Sequence, residues 1–310
     1  MPLDPQVELL LKQMEAGGAP PLNTLSPPDA RRLTAAMFTV PPGSEEPVHQ
    51  VENRSIPGPA GRIPVRIYTP AGAGPFPMLV FIHGGGFVIC DLDSHDAACR
   101  SLTNEAKCVT VSVDYRLAPE HKFPAAVEDS YAAALWVSEH ARELNGDANR
   151  MAIGGDSAGG NLSAVVSMLA RDAAKPKICF QLLVYPATDA HRNTESHRKF
   201  TNYFLTKEMI DYFMGHYLRG EADKNDPRMS IALAKNFSGL PPAHIITAEF
   251  DPLRDEGEAY AETLRKAGVA ATVTRYPGMI HGFFTMANVL DQGKKAVAEA
   301  ATALRKAFGN

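Results

Sequence analysis

The chain has 310 residues, enough for one large domain or two small ones. Apolar residues make up 45% and charged residues 21%, so a chain of this length can bury a sufficient core without a disulfide scaffold. With 31 basic against 35 acidic side chains the net charge is −4, which excludes bulk electrostatic capture of nucleic acid.

The first residues, Met1-Pro2-Leu3-Asp4, lack the basic and apolar regions of a signal peptide, so a cytoplasmic setting is expected. Asp4 can cap a helix with Pro5 at its first position, and Gly17-Gly18 can end it. Val7, Leu10, Leu11 and Met14 fall on one face of that helix. Ser26-Pro27-Pro28-Asp29 is a second start signal, close to a capping box, and Ala30, Leu33, Ala36 and Met37 form the stripe that follows. The two segments read either as ordinary packing helices or as a lid over a pocket.

From Val48 to Tyr68 the pattern becomes strand, with Pro57-Gly58-Pro59 as a turn. Short β-rich runs follow at Met78–Ile82, Val109–Val113, Met151–Ile153, Cys179–Tyr185, His244–Ala248 and Ala271–Arg275. Helical patterns at Ala125–Leu144, Ala158–Arg171, Glu256–Ala267 and Gly293–Phe308 stand between or after them. Such alternation predicts an α/β protein, a mostly parallel sheet with helices on both faces. It lapses between Thr188 and Phe237, where an insertion with a helix or two is expected. The longest apolar stretch, Met78 to Cys90, is broken by His83 and three glycines and falls short of the roughly 18–20 residues that span a bilayer. Cys90, Cys99, Cys108 and Cys179 form no CxxC pair and have no histidine at zinc-like spacing, so neither a metal nor another cofactor is implied.

Gly155-Asp156-Ser157-Ala158-Gly159 fits G-x-S-x-G between a strand and a helix, the context of a nucleophile elbow. The serine of such an elbow sits in a strained turn that a Cβ two residues to either side would crowd. A phosphate-binding loop is excluded, because Gly160-Asn161 stands where Lys-Ser/Thr is needed. His83-Gly84-Gly85-Gly86 directly follows an early strand, the position of an oxyanion-hole loop. Gly84, Gly85 and Ala158 are the expected N–H donors, and His83 an orienting hydrogen-bonder rather than a base.

A serine nucleophile needs a base and an orienting acid, which on this fold follow it in chain order. His191, His197 and His216 lie in the insertion and His244 within a strand pattern, whereas His281 follows the last strand. Sites of open α/β sheets lie beyond the carboxyl ends of strands, which favours His281. Asp251, closing the strand that begins at His244, is favoured as the acid over Asp255 near the next helix start.

Five motifs in order, His83-Gly84-Gly85-Gly86-Phe87, Asp114-Tyr115-Arg116-Leu117-Ala118-Pro119-Glu120, Gly155-Asp156-Ser157-Ala158-Gly159-Gly160-Asn161, Asp251-Pro252-Leu253-Arg254-Asp255-Glu256 and His281-Gly282-Phe283, resemble the bacterial hormone-sensitive-lipase-like (family IV) esterases of the α/β-hydrolase superfamily. The resemblance runs from about residue 50 to the C-terminus and shows no departure at a catalytic position. It implies an α/β-hydrolase core over residues 51–187 and 238–310, and a helical cap formed jointly by residues 1–50 and 188–237. It also implies a serine carboxylesterase with Ser157, Asp251 and His281 as its triad, acting on short- to medium-chain esters. Phe87, Phe204, Leu205, Met209, Phe213 and Ile280 are candidate pocket-lining positions; the alternative is that they pack cap on core. An amidase or deacetylase on the same triad, or a receptor that binds without hydrolysing, are the rival readings. The expected partner is a small-molecule ester, with no nucleic acid and no membrane; a homodimer is compatible with the sequence.

Overall fold

An antiparallel hairpin opens the sheet: β1 (Gln50–Gly58) and β2 (Gly61–Thr69) pair from Gln50↔Thr69 to Gly58↔Gly61, turning where the Pro-Gly-Pro signal predicts. The structure, a computed structural model, describes residues 2–38 and 43–309. β3 (Phe76–Ile82), β4 (Val109–Val113), β5 (Gly146–Asp156), β6 (Phe180–Val184), β7 (Ala243–Phe250) and β8 (Ala271–Ile280) complete one sheet of order β1-β2-β4-β3-β5-β6-β7-β8. β2 joins β4 antiparallel, and from β4 onward every pairing is parallel.

The central strands are apolar throughout because both their faces are covered. All seven residues of β3 are buried. Met78, Val80 and Ile82 enter one core cluster and Leu79 and Phe81 the other, following the two-residue period of a strand. α4 (Ala125–Glu139), α5 (Ala158–Asp172) and α8 (Arg254–Lys266) close the first face through Val137, Leu162, Val165 and Leu264. α3 (Asp96–Ala106) and α9 (Asp291–Phe308) close the second through Leu102, Val297 and Leu304. α3 is absent from the predicted helices. Its buried face is mostly small, with Ala98, Cys99, Thr103 and Ala106 around one leucine, and His95 caps it without a side-chain bond.

The N-terminal elements form as the caps predict. In α1 (Pro5–Ala16) the Gln6 N–H donates to Asp4 Oδ1 at 2.8 Å, and before α2 (Pro27–Phe38) the Asp29 N–H donates to Ser26 Oγ at 3.3 Å. Between β6 and β7 the chain forms α6 (Glu195–Lys199) and α7 (Lys207–Tyr217), capped by Thr194 and Thr206, then two 3₁₀ turns at Glu221–Asn225 and Ile231–Leu233. α7 packs on the 3₁₀ turn Leu22–Thr24 that joins α1 to α2, so the N-terminal segment and the insertion touch each other. Among the described residues no helix is long and apolar enough to cross a membrane, all four cysteines are free, and no group of three His, Cys, Asp or Glu side chains could hold a metal ion.

Candidate active site

β5 ends at Asp156 and α5 begins at Ala158, so Ser157 alone turns the chain, at φ 53° and ψ −118°. Positive φ strains a residue with a Cβ by about 1–3 kcal/mol and persists only where neighbours impose it. Here the Ser157 N–H donates to Val184 O at 2.8 Å, and Ser157 O accepts from Asn161 N–H at 3.0 Å. The flanking glycines are obligatory: a Cβ on Gly155 or Gly159 would overlap the carbonyl oxygen of Ile82.

β8 delivers His281 and β7 delivers Asp251 to the same end of the sheet. His281 Nε2 accepts from Ser157 Oγ at 2.9 Å, and His281 Nδ1–H donates to Asp251 Oδ2 at 2.7 Å. Asp251 is wholly buried, and its other oxygen accepts the Leu253 N–H at 2.8 Å. Asp255 faces elsewhere: its carboxylate takes the Ser196 N–H at 2.8 Å and the Arg254 Nε–H at 2.8 Å, tying the start of α6 to α8. The other candidate histidines have their own partners. His191 bonds Asp189 at 2.9 Å, His216 lies edge-on to Tyr212, and His244 bonds Thr272 at 2.8 Å. His197 bonds Thr194 Oγ1 at 2.7 Å and stands 3.3 Å from Glu256 Oε2. Burial pushes His197 down to about 4 and raises Glu256 well above its ordinary value, so the two groups face each other uncharged at neutral pH.

His83 is fully buried, its Nδ1–H donating to Gly84 O at 2.7 Å and its ring stacked on Tyr115 with centroids 4.3 Å apart. Desolvation lowers it to about 4, so it is neutral and suited to holding the loop. Gly84 departs from the expected arrangement. Its N–H donates to Asp156 Oδ1 at 2.9 Å and it does not line the cavity, whereas Gly85, Gly86 and Ala158 do.

Above Ser157 lies a cavity of about 380 Å³ whose walls are mostly apolar. Phe87, Phe204, Leu205, Met209 and Phe213 line it, with Ser157 and His281. Ile280 does not. The last strand runs beyond the predicted Arg275 through Ile280, which buries that side chain in the core cluster beneath α9. Phe213 packs against Gly86 of the glycine loop, and Phe204 against Gly282, next to His281. Leu11, Met14, Leu33, Met37 and Phe38 of the N-terminal helices also line the cavity. Four of these belong to the apolar stripes noted above, which lacked a partner in their own segment; Tyr203 and His95 carry no comparable sequence signal. Arg31 fastens α2 to the same region, donating to Val88 O and Ala118 O at 2.8 Å each and pairing with Glu120 at 2.6 Å.

A hydroxyl bonded to an imidazole whose far nitrogen is held by a buried carboxylate is the arrangement that activates a serine for attack. A family model described as the alpha/beta hydrolase fold matches residues 79–285. Carboxylic ester hydrolase LipN of Mycobacterium tuberculosis is 47% identical over 311 aligned residues, covering 98% of this chain and 82% of that protein. An ester-hydrolase from the metagenome of Lake Arreo, solved with a derivative of bipyridine phosphonate, is 44% identical, with a TM-score of 0.95 over 99% of this chain and 100% of that one. The esterase of Pyrobaculum calidifontis is 40% identical, with a TM-score of 0.93 over 98% and 99% of the two chains. The chain belongs to the α/β-hydrolase fold family, and within it to the hormone-sensitive-lipase-like (family IV) group.

Proposed function

We propose that the protein is a serine carboxylesterase in which Ser157, His281 and Asp251 form the catalytic triad. The carrying observation is the unbroken chain from Ser157 Oγ to His281 Nε2 at 2.9 Å and from His281 Nδ1 to Asp251 Oδ2 at 2.7 Å, at the wall of an apolar cavity. The relatives named as ester hydrolases support the same chemistry. Ser157 Oγ attacks the ester carbonyl as His281 Nε2 takes its proton, and Asp251 stabilises the imidazolium. The tetrahedral oxyanion collapses, the C–O bond to the alcohol breaks, and His281 returns the proton to the leaving oxygen. Water then attacks the acyl-enzyme by the same route, releasing the acid.

The oxyanion is assigned to the N–H groups of Gly85, Gly86 and Ala158, since the Gly84 N–H is already bonded. Residues 1–50 and 188–237 are assigned as the two parts of a cap, because both line the cavity and α7 packs on the N-terminal turn. A cavity of this size, with no Lys or Arg in its lining, favours uncharged esters of short to medium acyl chains. A series of p-nitrophenyl esters from acetate to palmitate tests this, each assayed for initial rate and for a burst of released nitrophenol. A maximum at butyrate to octanoate is expected, and a maximum at palmitate would contradict it.

A further inference from the structure

The glycine loop is held from below by a buried polar chain that plays no part in the triad. Asp156 Oδ1 accepts the Gly84 N–H at 2.9 Å, and His95 Nε2 lies 2.9 Å from the same oxygen. The Gly84 nitrogen also stands 3.4 Å from Nε2, but the contact with the carboxylate is the shorter one and assigns a proton to Nε2, directed at Asp156. His95 Nδ1 rests 3.0 Å from Ser94 Oγ, whose single proton is shared between that nitrogen and Asp91 O, 2.8 Å away, while the same oxygen accepts the Asp91 N–H at 2.9 Å. Asp156 and His95 are 5% and 2% exposed. The chain therefore links the turn before α3, through His95 and Asp156, to the first peptide of the loop.

Asp156 is also the residue immediately before Ser157. One side chain thus connects the strained nucleophile turn to the loop opposite it. The fit is close: a Cβ on Gly84 would stand 2.9 Å from Asp156 O. The far end of the loop is fixed separately, since the Val88 and Ile89 N–H groups both donate to Gly85 O at 3.0 Å. At the Gly84 end side chains hold the backbone: Tyr115 Oη donates to His83 O at 3.0 Å, the His83 ring donates to Gly84 O at 2.7 Å, and the Gly84 N–H is held by the Asp156 side chain. That chain ends in a carboxylate near the place where negative charge develops, an arrangement that opposes the reaction unless a donor is held against it.

We propose that Asp156 and His95 form a positioning clamp for the oxyanion loop. Asp156 accepts the Gly84 N–H and so sets the peptide planes that carry the Gly85 and Gly86 N–H groups. His95 holds the carboxylate in that orientation and directs its charge away from the oxyanion. Both border the cavity, yet neither is hydrogen-bonded to the Ser157 hydroxyl or the His281 imidazole; both act through the loop. The inference rests on the triad reading above and extends it to residues that reading does not use.

The clamp predicts a loss confined to the transition state. Asp156→Ala and His95→Ala should each lower kcat by about 10–100-fold with KM nearly unchanged, somewhat less than the ~10²–10³ lost when an oxyanion donor itself is removed. Affinity for a trifluoromethyl ketone, whose serine hemiketal places an oxyanion in the same hole, should fall in proportion to kcat/KM, while affinity for the matching methyl ketone stays constant. Asp156→Asn keeps an oxygen acceptor for both donors and should restore kcat to within about fivefold of the wild type. Should Asp156→Ala fail to fold by circular dichroism, His95→Gln against His95→Ala makes the same comparison, since Gln retains an N–H for Asp156. An Asn variant as impaired as the Ala variant, or a folded Ala variant with wild-type kcat and ketone affinity, would overturn the clamp. A wild-type protein that neither hydrolyses esters nor binds the ketone would overturn the triad reading, and the clamp with it.

Discussion

Asp251 and Asp255 stand four residues apart, yet only the first reaches His281. Asp251→Asn should leave the fold intact and lower kcat by about 10⁴, because an amide neither holds the productive tautomer nor stabilises the imidazolium. Asp255→Asn neutralises the partner of Arg254 while keeping an oxygen for the Ser196 N–H, and should change stability little and leave turnover nearly intact. Steady-state kinetics and urea unfolding of both variants check this, and a larger kinetic loss at Asp255 would reverse the assignment. Gly159→Ala should fail to give folded, active protein, since its methyl would overlap the Ile82 carbonyl in the central strand. Solubility and far-UV circular dichroism provide the readout. Ser157, Asp251 and His281 were legible as candidates because each directly follows a strand in a recognisable order. Gly84 and Ile280 were not. The direction of the Gly84 N–H depends on Asp156, far away in sequence, and the burial of Ile280 depends on how far β8 continues.

At the scale of elements, the N-terminal helices and the insertion carry much of the cavity's apolar wall. The stripe spacing showed that α1 and α2 must pack against something outside themselves, but not against what. The answer depends on long-range contacts such as Arg31 to Val88 and Ala118, which leave no local pattern. Removing residues 1–45 should preserve the sheet, expose apolar surface to dye binding and lower turnover by admitting water to the site. A truncated protein with unchanged rate and chain-length preference would show that these helices do not act as a lid. In the insertion, Phe204 packs beside His281, where the leaving alcohol must sit to receive its proton. Phe204→Ala should therefore widen tolerance for bulky alcohols more than for long acyl chains. A matrix of esters varied on one side at a time separates the two effects.

For the whole molecule, the parallel sheet was legible from alternating apolar runs, while α3 was hidden by its small buried side chains. Buried titratable groups set the response of the fold to acid. His83 is lowered to about 4 by burial, with Asp114 3.9 Å away and the ring of His95 centred 5.6 Å away. Between about 4 and its ordinary value near 6.5, the unfolded chain binds a proton at this position that the folded chain does not. Stability therefore falls as pH drops through that window, by about 1.4 kcal/mol per pH unit for one proton. Asp114, raised to about 6 mainly by burial, acts in the opposite sense over part of the range, so the informative quantity is a difference between proteins. Urea unfolding of His83→Asn at pH 7, 6 and 5 should show a shallower loss of stability toward acid than the wild type, whatever its absolute stability; parallel slopes would refute the linkage.

In the proposed mechanism one hydroxyl, Ser157 Oγ, forms the acyl-enzyme. Treating the protein with a fluorophosphonate and mapping the modified peptide tests this directly. One adduct per chain is expected, on the peptide that contains Ser157, with p-nitrophenyl butyrate hydrolysis lost in step with labelling, and neither label nor activity in a folded Ser157→Ala variant. Modification at another residue, or a Ser157→Ala protein that still turns over the ester, would contradict it.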